Sequence, residues 1–344
     1  MDEQKQRPPD HLVINVEHRE DPVARVTEVD AFAATRKYGK IVVRGPLFGY
    51  AEQRPGERPR WRLLGGMDTG YPQDARDDLN SYLWLKARDE AEDHLERRAL
   101  LAGVARLETE PVDSLTAAGT RYRIVRADEF ARIGEHQLEP PRPTDIDLDG
   151  WDDSQDGGRS PAHTEGVVID HAAAVGLTEG LDRVGLLPVS YTSERFPPDV
   201  LADSRRALTT HPGVVLLPPV FRVMEHKELS WSMVGGGYHG TPQEARRALV
   251  HYLTEFLPMY HRIEEKDVAV YAKAAERFKQ QRRANELRVR GRCFEIVRVE
   301  RMMRIGPDGP EPPRRSDTDI QEPMKIRPMM DEWGTITTQS ASEE

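Results

Sequence analysis

Residues 61–85 read WRLLGGMDTGYPQDARDDLNSYLWL, and residues 231–255 read WSMVGGGYHGTPQEARRALVHYLTE. Laid over each other at a constant offset of 170, without gaps, they match at 11 of 25 positions. Trp61 falls on Trp231, Gly65-Gly66 on Gly235-Gly236, Gly70 on Gly240, Pro72-Gln73 on Pro242-Gln243 and Ala75-Arg76 on Ala245-Arg246. A second block, 122–142 over 294–314 at offset 172, matches at 10 of 21 positions. It carries Ile124-Val125-Arg126 onto Ile296-Val297-Arg298 and Glu139-Pro140-Pro141-Arg142 onto Glu311-Pro312-Pro313-Arg314. Two blocks in the same order at nearly the same spacing read as an internal duplication, and self-similarity on this scale decides the architecture.

Each copy is then read for local structure. Ile41-Val42-Val43 and Val214-Val215-Leu216-Leu217 are short apolar runs, the signature of strands. A second strand carries the Trp and ends at the glycines, which makes a hairpin. The helix that follows has a marked start at Thr241-Pro242-Gln243-Glu244, with a capping Thr, Pro in the first turn and Glu three residues after the cap. Ala245, Ala248, Leu249, Tyr252, Leu253 and Phe256 form one buried helical face. Pro258 is expected to break or kink that helix, and a second one runs through Val268, Ala272, Ala275 and Phe278. The copy closes on the strand Cys293–Arg298.

The expectation is an α+β fold built from two tandem copies of a strand-strand-helix-strand unit, an antiparallel sheet with helices on one face. The boundaries are 1–138 for the first repeat and 139–164 for an acidic Pro/Asp/Gly linker. The second repeat spans 165–306, and 307–344 is an extended or disordered tail. Whether the two units join their sheets about a pseudo-twofold axis or lie as beads on a string is left open by sequence.

The Trp…Gly-Gly…Pro-Gln-x-Ala-Arg and Ile-Val-Arg…Glu-Pro-Pro-Arg blocks resemble an uncharacterised actinobacterial tandem-repeat family, a domain of unknown function. That resemblance implies no activity.

Composition narrows the function classes. The chain has 344 residues, 38% of them hydrophobic and 31% charged, with a mean hydropathy of -0.67. That is enough apolar material for a core, and no apolar run reaches the roughly 18 residues a membrane span needs. The charged, proline-bearing start lacks the apolar segment of a secretory signal, so no membrane partner and a cytoplasmic location are expected. Cys293 is the single cysteine, which excludes an internal disulfide framework and a zinc site built from several cysteines. The net charge of -10 is uneven. Residues 143–157 hold six Asp and residues 330–344 four acidic groups, with no Lys or Arg in either, so the remainder is neutral. Within it, residues 273–304 carry eleven Lys or Arg against four Glu.

The candidate sites are few. Gly65, Gly66 and Gly70, like Gly235, Gly236 and Gly240, join a strand to a helix N-terminus, where free N–H groups and the helix dipole suit an anion. The recurring Arg76, Arg126, Arg246 and Arg298 complete that anion-binding set. Arg126 shares a strand face with Tyr122 and Ile124, and a guanidinium there requires a carboxylate or a ligand anion. The plainer reading is a tight turn and internal ion pairs. Arg282, Arg283, Arg288, Arg290 and Arg292 are candidates for following a nucleic-acid backbone, against the plainer reading of a solvated face. Asp145, Asp147, Asp149, Gly150 and Asp156 have calcium-loop spacing, but the prolines before them forbid an entering helix, so an acidic linker is the better reading. No catalytic motif, cofactor fingerprint or metal spacing appears among the eleven histidines or elsewhere. The leading expectation is a non-enzymatic binding or assembly protein whose partner is protein, itself or another. The alternatives are an enzyme or sensor of a small anionic ligand, and a nucleic-acid binder.

Overall fold

In the computed structural model, residues 10–147, 151, 164–228, 230–260 and 264–337 are described. After a short 3-10 turn at Asp10–Leu12, the first half runs α1 (Pro22–Lys37), β1 (Lys40–Gln53), β2 (Trp61–Leu63), α2 (Pro72–Asp89), α3 (His94–Leu107), β3 (Ser114–Ala117) and β4 (Thr120–Ile133). A connection carries β5 (Val168–Ile169) and α4 (Leu177–Leu186). The second half runs α5 (Pro198–Thr210), β6 (Gly213–Lys227), β7 (Ser230–Met233), α6 (Pro242–His251), α7 (Leu257–Tyr260), α8 (Glu265–Gln280), β8 (Glu286–Val289) and β9 (Arg292–Gly306). The tail adds β10 (Gly309–Pro310), β11 (Met329–Met330) and β12 (Ile336–Thr337).

The fold is α+β, and ten of the twelve described strands form one antiparallel sheet, while β11 and β12 pair separately. The main order is β5-β2-β1-β4-β9-β6-β7, with β3 on β4 and with β8 and β10 on β9. The beads-on-a-string arrangement is thereby ruled out. β4 and β9 pair directly, Ala127 with Met303, Asp128 with Met302, Glu129 with Arg301 and Phe130 with Glu300. At the offset of 172, Glu129 and Arg301 are equivalent positions, so the seam is centred on that pair.

Register also decides which face the helices cover. Phe130 and Glu300 are cross-strand partners and so share a face with the residues two and four away on each strand. On that face Tyr122, Ile124 and Phe48 pack under Ala75, Leu79, Leu83, Leu100 and Val104 of α2 and α3. Phe294, Ile296, Phe221 and Val223 pack likewise under Leu249, Leu253, Ala275 and Phe278 in the second half. The opposite face buries Trp61, Leu63, Val125, Val215, Leu217 and Met303 at one place, and Val220, Val297, Val299 and Leu138 at another.

Several local expectations change. The strands are far longer than their apolar runs: β1 has 14 residues, β6 has 15 and β9 has 15, because paired charges extend the ladder past the hydrophobic segments. The helix at Pro242 starts as read: the Thr241 hydroxyl accepts from the Glu244 N–H at 3.2 Å. The Glu244 carboxylate, however, accepts from the Gly240 N–H at 2.9 Å, one residue before the cap. The helix does not stop at Pro258. It passes through a π-helical turn at Tyr252–Phe256 and resumes as α7, the wider turn sitting where the proline removes a donor.

Of the acidic linker, residues 148–150 and 152–163 lie outside the described residues, and with them Asp149, Gly150 and Asp156 of the calcium-like spacing. Its first part, 139–147, is a packed arm with Glu139 fully buried. The tail is extended and docked: the Trp84 indole donates to the Pro328 carbonyl at 3.0 Å, and Trp333 stacks on His94 at 4.9 Å.

Candidate functional site

Between the two helix layers the middle of the sheet carries buried charge around a small apolar cluster of Phe130, Met302, Val214 and Leu186. β4 presents Arg126, Asp128 and Arg132 there, and β9 presents Arg298, Glu300 and Arg304, all buried. Burying an ion is unfavourable by several kcal/mol unless it is paired and hydrogen-bonded, so each of these groups needs a partner.

Some partners lie on the same strand, and Arg304 donates to the Leu187 and Val189 carbonyls, but two arms bring others from the opposite half. The segment after β9 crosses to β4, where the Glu311 carbonyl accepts from the Arg126 N–H at 2.9 Å. The segment after β4 crosses to β9, where the Glu139 carbonyl accepts from the Arg298 N–H at 2.8 Å. Arg126, 1% exposed, donates Nε to Asp317 at 2.9 Å, Nη1 to Asp128 at 2.9 Å and Nη2 to the Tyr191 hydroxyl at 3.0 Å. Tyr191 closes the ring by donating to Asp128. Arg298 donates Nε to Asp145 at 3.2 Å and pairs with Glu300. Arg142 and Arg314 lock the arms, bonding Glu139 and Glu311 of their own arms at 2.5 and 2.8 Å. Arg132 reaches Asp182 of α4 at 2.9 Å.

The electrostatics follow from this crowding. Burial works against the Asp128 carboxylate, but Arg126 and Arg314 outweigh it and hold its pKa below the usual carboxylate range. Glu300 is likewise held low, by Arg298, Arg132 and Arg142 against burial. Arg126 and Arg298 are buried too, yet their carboxylate partners raise both pKa values.

The outer arginines are held by the same arms. Arg76 donates to Asp319 at 2.7 Å and to Asp113 at 2.6 Å. Arg246 donates to both oxygens of Asp147, at 3.1 and 2.9 Å, and to Asn285 at 2.8 Å. Asp319 also accepts from the Gln73 N–H at 2.6 Å, so a carboxylate of the chain itself caps α2. Arg126 and Arg298 on the sheet, and Arg76 and Arg246 on the helices that cover the same face, are therefore each engaged by an aspartate from an arm. Sequence reading took Asp145 and Asp147 for an acidic linker and missed Asp317 and Asp319. The signal was present, because the offset of 172 continues past Arg142 and Arg314 to Asp145 on Asp317 and Asp147 on Asp319.

The glycine turns precede α2 and α6 as expected. Positive φ is found at Gly235, at 70°, but not at Gly65 or Gly66. There the constraint is close approach: a Cβ on Gly66 would lie 2.6 Å from the Asp68 carboxylate, and one on Gly65 would lie 2.9 Å from the Tyr50 hydroxyl. Gly70 and Gly236 have open space at the Cβ position, and Gly240 donates to Glu244 as described above.

The basic stretch is divided rather than continuous. Arg292 makes a two-pronged pair with Glu225 at 2.8 and 2.9 Å, Arg290 pairs with Asp267 at 2.8 Å, and Arg288 pairs with Glu286. Arg283 lies 3.9 Å from Asp147, and Arg282 is exposed. Phe278 and Phe294, the aromatic residues flanking it, are core residues and offer no ring to a base.

On the opposite face, the centre of the seam is cationic. Glu129 is shared by Arg44 at 3.0 Å, Arg222 at 3.8 Å and the Tyr238 hydroxyl. Arg301, 1% exposed, bonds only carbonyls among the described residues, those of Pro218 at 2.8 Å and Met67 at 3.4 Å. Burial lowers its pKa to about 10. No spacing rule in the sequence pointed to this group, because its members come from five separate segments. The fold also brings His226, Cys293 and Glu295 together.

None of the described helices is long and apolar enough to cross a membrane. Neither the curated proteins nor the solved structures contain a match to this chain. A family model does match, over residues 21–320, taking in both halves of the sheet and both arms, and the chain belongs to that family, DUF5954, a family of unknown function.

Proposed function

We propose that this protein is a non-enzymatic assembly module that pairs with a second copy of itself through α1 and α4. One observation carries the reading: both helices turn large apolar side chains to solvent. On α1 the inward side is lined by Ala24, Glu28, Ala31 and Ala34, while Val23, Val26, Val29 and Phe32 are 73, 60, 71 and 52% exposed. On α4 the spacing i, i+4, i+7 exposes Leu177, Leu181 and Val184 by more than half each. The two helices touch through Glu28, whose carboxylate accepts from the Thr178 N–H at 2.8 Å. An apolar surface spread over two adjoining helices is what an interface presents before it is covered. A twofold contact would use the same patch on both chains.

The intramolecular pairing of the recurring arginines supports the same reading, since their charges are met within the chain. On this reading the protein works in the cytoplasm, and its two halves descend from one ancestral unit.

Native mass spectrometry and light scattering test it. The wild type is expected as a dimer at micromolar concentration, and the double variant Val26→Glu, Leu181→Glu as a monomer with an unchanged circular dichroism spectrum. A wild-type monomer at high micromolar concentration overturns self-assembly. Extra mass lost on denaturation would turn attention to a small ligand, with the cations around Glu129 as the first place to look.

A further inference from the structure

We propose that His226, Cys293 and Glu295 form a zinc-binding site at the outer end of β6 and β9. His226 and Cys293 are cross-strand partners, and Glu295 lies two residues along β9 on the same face. One donor atom from each lies within 4.8 Å of the others. The imidazole Nδ1 and the Glu295 Oε1 are 3.2 Å apart. Zinc bonds of about 2.0–2.1 Å in a tetrahedron place neighbouring ligand atoms about 3.3 Å from each other.

The hydrogen bonds around the imidazole supply the second argument. Nε2 lies 3.0 Å from the Glu228 carbonyl, which can only accept, so Nε2 carries the proton. In the neutral ring Nδ1 then presents a lone pair to a carboxylate oxygen. Two acceptors face each other across 3.2 Å, and a cation or an added proton between them satisfies both. A histidine whose second nitrogen donates to a backbone carbonyl is the usual arrangement behind a metal ligand.

The carboxylate and the ring are both held in place. The Trp231 indole N–H donates to the other Glu295 oxygen at 3.1 Å. The Trp231 ring stacks on the imidazole at 4.6 Å, with 12° between the planes. Thiolate, imidazole and carboxylate together suit zinc better than calcium or magnesium, which take oxygen ligands. On binding, the Cys293 thiol loses its proton to solvent and the sulfur bonds the metal, so the step balances without an oxidant or a reductant. The fourth position is left to water, which reaches the site because the His226 side chain is 20% exposed.

The competing arrangement is a doubly protonated His226 in an ion pair with Glu295, in which Cys293 has no part. Full-length protein dialysed against a chelator and then titrated with zinc against a chromophoric competitor separates the two. One equivalent is expected to bind, and Co2+ in its place is expected to show a thiolate-to-cobalt charge-transfer band. Cys293→Ser is expected to remove that band and to weaken zinc binding by at least the ~100-fold that loss of an outer-shell partner can bring. Failure to take up one equivalent at micromolar zinc overturns the site. So does a cobalt complex without the band, a result that needs only the wild-type protein. Zinc affinity unchanged in Cys293→Ser overturns it as well.

Discussion

Replacing Arg126 with Met is expected to lower the unfolding free energy by about 3–5 kcal/mol, the range for removing one partner of a buried pair. The loss comes less from the missing attraction than from what stays behind. Asp128 and Asp317, both nearly inaccessible, would keep their charges without the guanidinium that both bond. Arg298→Met is expected to act alike, stranding Glu300 and Asp145. Urea unfolding at pH 7 reads the size directly.

The pH dependence tests the cause. Asp128 has a folded pKa below its unfolded value, so its stabilisation is complete above the unfolded pKa and fades as pH falls through the folded one. Arg126→Met removes the largest favourable contribution to that depression. The gap between wild type and variant is therefore expected to narrow below about pH 4, where the unfolded-state carboxylates begin to bind protons. A gap that stays constant down to pH 3 would mean that the loss comes from packing rather than charge.

Ending the chain at Gly306 is expected to damage the half of the protein that the cut does not touch. The removed segment holds Asp317 and Asp319, so Arg126 and Arg76 each lose a partner and α2 loses the carboxylate at its N-terminus. It also holds Pro328 and Trp333, which dock on α2 and α3. The cost is expected to reach several kcal/mol, on the scale of a broken buried pair. Hydrogen exchange is expected to show lost protection over 72–89 and 120–133, while α6 and α8 keep theirs. Loss confined to the second half would show that the crossing of the arms has no energetic weight.

Much of the local structure was legible from the chain. Pro242 behind a capping Thr241 marks a helix start through contacts that lie within four residues. Alternation from Tyr122 and Ile124 correctly put Arg126 on the core side, because strand periodicity is a local property. The length of β4 and β9 was not legible. A run such as Arg126 to Arg132 reads as polar until its partners are known, and those partners sit on another strand or in an arm from the other half. α1 and α4 escaped for the opposite reason. Leu177, Leu181 and Val184 do recur at helical spacing, but periodicity alone cannot say whether such a stripe faces the core or solvent.

The candidate sites divide in the same way. The arginines were found because they recur in the sequence. Their aspartates recur too, but acidic residues among prolines read as a linker when no guanidinium is in view. His226 and Glu295 are 69 residues apart and meet only because β6 pairs with β9 in one register.

The sequence by itself therefore determined the α+β class, the strand-strand-helix-strand core of each half, the facing of Arg126 and one helix cap. All of these follow from periodicity and contacts along a few residues of backbone. Only the tertiary structure decided that the halves share one sheet, that the arms cross, and which cation meets which carboxylate. An electrostatic partner is chosen by distance in space, and the register of β4 on β9 sets that distance.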